Sequence, residues 1–164
     1  MITKQQFTDA VLFEIGIIKH LFTKIPANGF DYKPTEKQRT TTELLQYLAG
    51  TGAASVKAIH ASDKNVYMEE RKKTDSITPD QFLAAMDQQA EIIKQVMNEM
   101  TDEELAMPLD LWGMGTAYPK SLVLLQMVLE SFVAYKMQLF LYIKSSGNTE
   151  INTSNLWQGR DGSM

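Results

Sequence analysis

The sequence predicts an all-α protein, a four-helix bundle with long, crossover-type connections. Four segments carry apolar residues at three- and four-residue steps, the spacing that gathers one face of a helix. Two of the four open on capping signals, and little of the chain alternates in the way a strand requires. The three connections, each of roughly fifteen residues, exceed the commonest helix–helix links, and such lengths permit crossovers rather than a plain up-down-up-down bundle.

Helix one is expected from about Thr3 to Lys24. Phe7, Val11, Ile15, Ile18, Phe22 and Ile25 form its stripe, and Pro26, Asn28 and Gly29 end it. A loop follows over 30–39, with Pro34 holding its neighbours extended. Thr40-Thr41-Thr42-Glu43 fits a capping box, so helix two should run from about Thr41 to Ala61. Gly50 and Gly52 inside it cost about 1 kcal/mol each relative to alanine, which predicts a kink or the close approach of another helix. The polar stretch 62–77 reads as a loop with at most a short helical turn. Thr78-Pro79-Asp80-Gln81 is a second capping signal. Helix three then extends to about Met100 on Phe82, Met86, Ala90, Ile93, Met97 and Met100, a methionine-rich stripe suited to filling core gaps. A short turn at Thr101–Glu104 is stopped by Pro108, and 109–119 is a loop carrying Trp112, Gly113, Gly115 and Tyr118. Helix four spans about Pro119 to Ser146, with Gly147 as its stop. Residues 1–150 thus form the bundle. Residues 151–164 form a polar tail, packed on or extending from it and pinned by Leu156 and Trp157.

Composition narrows the chemistry. A chain of 164 residues fits one domain and needs no staple to fold. It has no cysteine, which removes disulfides, thiol nucleophiles and cysteine-ligated metals. A net charge of −4 supplies no basic surface for nucleic acid. The N-terminus lacks the basic-then-apolar order of a signal peptide. The apolar run 122–143 is interrupted by Gln126, Glu130, Ser131, Lys136 and Gln138, so a buried helix is favoured over a membrane span. These readings lead to the expectation of a cytoplasmic protein with neither nucleic acid nor membrane as partner.

Helix four is apolar all round. At 100° per residue, Leu124, Val128, Ser131, Tyr135, Gln138 and Tyr142 share one side, and Leu122, Leu129, Val133, Met137 and Phe140 share the other. Two apolar faces need two partners: a homodimer through helix four is expected to cover the second, the competing reading being the 151–164 tail folded back with Leu156 and Trp157 over it.

Helices two and four together resemble the DinB/YfiT-like superfamily of small bacterial four-helix bundles. Its second helix reads approximately Ser-x-x-Glu-Leu-Leu-x-His-Leu and its fourth approximately His-x-x-x-His-x-x-Gln. The corresponding stretches here are Thr40 to Ala49 and Ser131 to Leu139, and Phe30-Asp31-Tyr32-Lys33-Pro34 is similar to the family's approach to helix two. The resemblance implies a bundle with a zinc or nickel site held by three histidines, and an activity of thiol-transferase, isomerase or hydrolase type. Yet Tyr47, Ser131 and Tyr135 stand at the three ligand positions, and only Gln138 follows the pattern.

A catalytic zinc or nickel site needs about three nitrogen, sulfur or carboxylate ligands. The chain has two histidines, His20 and His60. His20 lies in the last turn of helix one, and His60 points away from Tyr47 around helix two, so solvent or interface roles are expected for both. The sequence therefore predicts neither metal nor cofactor. Tyr47, Ser131, Tyr135 and Gln138 are candidates for a ligand pocket; the plainer reading is a hydrogen-bonded core network. Ser131 as a nucleophile would need a base that neither histidine supplies. Trp112 and Tyr118 are candidates for the pocket mouth or for a simple aromatic cap, and Glu14 fits either an inward or a boundary position. The favoured function is a DinB-like protein without the family's metal chemistry, acting as a small-ligand-binding or structural dimer. The alternative is an enzyme of thiol-transferase or hydrolase type, using an altered or metal-independent site between helices two and four.

Overall fold

The computed structural model describes residues 2–162. Helix α1 (Lys4–Phe22) starts where Thr3 and Gln6 exchange side-chain and backbone hydrogen bonds. Helix α2 (Thr41–Ala61) starts on the expected box: the Thr40 hydroxyl accepts from the Glu43 N–H, and the Glu43 carboxylate accepts from the Thr40 N–H at 2.7 Å. Both boxes satisfy amides that a helix leaves unpaired at its start.

The stretch 62–77 differs from the expected loop. After Ser62 ends α2 in the left-handed region, Asp63 caps a further helix, α3 (Lys64–Lys72), which folds back along α2. None of its residues is fully buried, and only Val66 and Tyr67 lean on the core. Its apolar signal is therefore too thin for a periodicity reading to register. Just beyond it, Thr74 donates to the Gln46 carbonyl at 2.9 Å and occupies the space a side chain at Gly50 would need. Gly50 thus serves a close approach, though of the turn after α3 rather than of another helix.

A short 3₁₀ turn (Pro79–Gln81) leads into α4 (Phe82–Glu99), and α5 (Asp102–Ala106) follows. A two-residue antiparallel ladder, β1 (Pro108–Leu109) with β2 (Tyr118–Pro119), closes the aromatic loop. Helix four runs unbroken over Lys120–Ser145 as α6 (Lys120–Leu124), a π turn (Leu125–Leu129) and α7 (Glu130–Ser145). The tail folds back as a short helix, α8 (Thr153–Gln158), rather than trailing away.

Long-range bonds fix the topology. The Lys4 ammonium donates to the Met100 carbonyl, and the rings of Phe22 and Phe82 lie 5.0 Å apart, so α4 runs antiparallel to α1. Lys120 reaches the His60 carbonyl, and Tyr142 the Arg39 carbonyl, so α2 runs antiparallel to helix four. Asn148 reaches the Lys24 carbonyl and Lys136 pairs with Glu14, which makes α1 and helix four parallel. The order is up-down-down-up. The crossover falls between α2 and α4, with α3 carrying the chain back.

At the bundle centre, Phe132 of α7 packs into the notch left by Gly52 on α2, where an added Cβ would stand 2.6 Å from the ring. Beside it, the buried Gln89 amide accepts from the N–H groups of Gly52 and Ala53 and donates to the Leu48 carbonyl. One side chain from α4 thereby bonds three backbone groups of α2.

The two faces assigned to helix four require correction. The buried side keeps Leu124, Val128 and Tyr142 of the expected face but adds Phe132, Lys136, Leu139 and Ile143. Ser131, Tyr135 and Gln138 are half-buried at its margin, as are Leu122, Leu129 and Phe140. The exposed stripe is Val133, Met137 and Leu141. The π turn is the cause. Its residues advance by less than 100° each, so everything beyond Leu129 is rotated from the position that uniform winding gives.

Candidate functional site

The bundle brings two of the four candidate residues together. Tyr47, two turns into α2, and Tyr135 on α7 lie with ring centroids 4.7 Å apart and planes tilted by 55°. The hydroxyl-bearing side chains of Thr51, Tyr67 and Tyr135 gather around the Tyr47 phenol. Burial pushes the Tyr47 hydroxyl above its ordinary value, and the neighbouring Tyr67 adds to the rise, while Thr51 and Tyr135 act the other way.

The other two candidates stand apart. Gln138 donates to the Tyr142 hydroxyl at 2.7 Å, which in turn donates to the Arg39 carbonyl. Ser131 is half-buried one turn before Tyr135 and makes no side-chain hydrogen bond among the described residues. A single four-member polar network is therefore not formed.

Two cations that sequence reasoning missed complete the cluster. The Arg39 guanidinium lies 4.4 Å from the Tyr47 centroid and 5.9 Å from that of Tyr135. The Arg71 guanidinium lies 5.1 Å from Tyr47. Arg71 is committed elsewhere, to Asp75 at 2.7 Å and to the Thr74 hydroxyl at 2.6 Å. Arg39 makes no ion pair and donates no side-chain hydrogen bond among the described residues. A guanidinium stacked on a ring uses its face, so its in-plane N–H fork stays open. The only sequence signal for either arginine is position: Arg39 directly precedes the α2 cap, and Arg71 lies in the last turn of α3.

These side chains do not fit a divalent metal. Two phenols, one of them made harder to deprotonate, and a separate serine offer none of the imidazole or thiolate that zinc and nickel prefer. Among the described residues, no group of three His, Cys, Asp or Glu side chains converges. His60 instead bonds through Nδ1 to Glu104 at 2.9 Å, and Glu104 also receives the buried Lys120 ammonium at 2.8 Å. Burial would raise the Glu104 carboxyl, but the bonds from Lys120 and His60 outweigh it and hold the group below its usual range.

Trp112 and Tyr118 line a cavity of about 310 Å³ together with Asp110, Met114, Gln126 and Met127. Trp112 also meets Tyr67 edge to face at 5.4 Å, so this cavity adjoins the tyrosine cluster. Glu14, left open by the sequence, points inward. Its carboxylate pairs at 2.6 Å with the Lys136 ammonium, which is 2% exposed, and the Trp157 ring covers that ammonium at 5.1 Å. Leu156 is buried as the tail reading expected, whereas Trp157 is 57% exposed and packs through one face only.

No protein-family profile matches the chain. It is 22% identical over 151 residues to the uncharacterised protein YjoA of Bacillus subtilis strain 168, covering 92% of this chain and 96% of that protein. The crystal structure of YjoA, described as a DinB-like protein, superposes with a TM-score of 0.72 at 21% identity, over 90% of this chain and 96% of the other. Together with the up-down-down-up order, this likeness identifies the chain as a four-helix bundle of DinB-like fold.

Proposed function

We propose that this chain is a metal-independent, non-catalytic DinB-like protein that binds a small anionic molecule at the Tyr47–Tyr135 cluster. One observation carries the reading: the Arg39 guanidinium lies within cation–π distance of both rings and has no carboxylate partner among the described residues. Its open fork suits a carboxylate or phosphate, which it can grip with two parallel hydrogen bonds. The half-buried phenols beside it suit an aromatic or apolar body. Nothing at the cluster supplies a nucleophile with a base, so binding is favoured over turnover.

Phenyl phosphate titrated into isotope-labelled protein is expected to shift the Tyr47, Tyr135 and Arg39 signals with a dissociation constant below about 1 mM, that is, more than about 4 kcal/mol of binding energy. Arg39→Ala should weaken that binding at least tenfold. No saturable shift in the native protein would reject the reading. Elemental analysis of tag-free protein is expected to give far less than one zinc or nickel per chain.

A second reading concerns assembly. Val133, Met137 and Leu141, at 41%, 39% and 53% exposure, form a stripe four residues apart on α7. Such a stripe suits the matching stripe of a second copy about a two-fold axis. Light scattering should give twice the 18.5 kDa chain mass, and Val133→Glu with Leu141→Glu should return it to one chain. A native mass of one chain at micromolar concentration would reject the dimer.

A further inference from the structure

Helix α8 lies against α1 and α7, held by apolar and polar contacts. Ile151 and Leu156 are buried, and Gly159, at φ +61°, sits so close to Ile17 that an added Cβ would come within 3.3 Å of its backbone. The polar fastening centres on Asn155, which is itself buried. Its Oδ1 accepts the Asn152 N–H at 2.8 Å, and this sets the orientation of the amide. Both Nδ2 hydrogens therefore point the other way, one to Asp161 Oδ1 at 2.9 Å and one to His20 Nε2 at 3.0 Å. Turning the amide over would set N–H against N–H at Asn152 and oxygen against carboxylate at Asp161. His20 Nε2 must then be a bare lone pair, with the ring proton on Nδ1.

We infer that His20 is a proton-operated latch: the neutral ring holds α8 on the α1–α7 groove, and the imidazolium releases it and uncovers the Glu14–Lys136 pair. Protonation turns the acceptor into a donor facing another donor. Asp161 Oδ1, 3.6 Å from Nε2, is beyond hydrogen-bond reach of the new hydrogen in this arrangement, so the His20–Asn155 bond is lost without a replacement in place. The charges facing the ring are Lys24, just past the end of α1, and Asp161 from the tail, themselves paired at 2.7 Å. The nearby cations of the other packed elements are engaged: Lys136 with Glu14, and Lys144 of α7 with the Ile151 carbonyl. Lys19 of α1 is paired with Asp87 on α4. Burial, reinforced by Lys24 and opposed by Asp161, lowers the His20 pKa from its ordinary 6.5. With the folded value below the unfolded one, the latch is complete above pH 6.5 and is lost as pH falls through the lower folded value.

The native chain tests the inference directly. Nitrogen shifts of the His20 ring at about pH 8 should report the Nδ1–H tautomer, and finding Nε2–H would overturn the latch. Trp112→Phe leaves Trp157 as the sole indole. Its emission should change in a one-proton step between about pH 8 and about pH 5, at the His20 midpoint found by NMR. Absence of that step while His20 titrates would also overturn it. His20→Gln, whose amide oxygen accepts from Asn155 at every pH, should abolish the step, and a step persisting at the same midpoint would assign it to another group.

Discussion

Helix four buries two large side chains one turn apart by opposite means. Towards α2 it sends Phe132, a ring fitted to the notch at Gly52. Towards α1 it sends Lys136, an ammonium matched to Glu14 and roofed by Trp157. Shape complementarity holds the first contact, where trimming Phe132 costs a cavity and enlarging Gly52 costs a clash. Charge complementarity holds the second, where trimming one partner strands the other in a poorly solvated site. A contact of the first kind tolerates graded change; one of the second kind tolerates only paired change.

The largest effects should come from breaking each contact outright. Phe132→Ala should destabilise by about 3–5 kcal/mol through the cavity it leaves. Glu14→Ala should cost a similar 3–5 kcal/mol or so, because Lys136 is left unpaired. The two part company on repair. Glu14→Leu with Lys136→Leu should recover at least about the parent stability, since replacing a whole buried ion pair by apolar groups is often neutral or better. Urea denaturation midpoints measure all three, and a double variant no more stable than Glu14→Ala would show that the pair is not the unit.

A smaller and sharper test uses one substitution at two glycines. Gly52→Ala drives a Cβ into Phe132 and should destabilise by about 1 kcal/mol net, the overpacking exceeding the gain in helix propensity. Gly16→Ala on α1, with nothing within 4 Å of its new carbon, should stabilise by about 1 kcal/mol. Equal shifts of the same sign would mean that Phe132 yields, and the notch would not be a fitted contact.

The smallest effects lie at the helix starts. Thr40→Ala should cost about 1 kcal/mol, because the Thr40 hydroxyl accepts from the Glu43 N–H. Thr78→Ala should cost less. There the hydroxyl donates to Gln81 Oε1 rather than accepting from the turn, and the Thr78 N–H keeps the same oxygen as its partner. Differential scanning calorimetry should rank them in that order.

Much of the fold was legible because its signals are local. Caps, breakers and three-four spacing mark α1, α2, α4 and helix four, and the connection lengths left room for the crossover. Segment α3 was not legible, because a nine-residue helix lying on the surface needs almost no apolar stripe. Nor was the inner face of helix four, because a π turn leaves no signature in residue spacing yet rotates all that follows. The site suffered doubly. The DinB-like register points to Tyr47, Ser131, Tyr135 and Gln138 alike, yet only Tyr47 and Tyr135 meet, while Gln138 turns to Tyr142. Arg39, Arg71 and Tyr67 join from α3 and from the approach to α2, elements whose placement depends on tertiary packing.

The crossover also carries a kinetic consequence. Helix α2 meets α3 across a short turn, so that hairpin can form early with little loop entropy to overcome. Docking α1 on α4 and α2 on helix four replaces the neighbour-to-neighbour seams of an up-and-down bundle with distant ones, as the Lys4–Met100 and Tyr142–Arg39 bonds illustrate across 96 and 103 positions. Contacts of such high order slow the search, so this bundle should fold more slowly than an up-and-down bundle of equal length. Its transition state should be polarised, with α2 and α3 largely formed and the α1–helix four seam still open. Mutations at the Gly50–Thr74 contact should then slow folding, whereas mutations at Glu14 or Lys136 should speed unfolding.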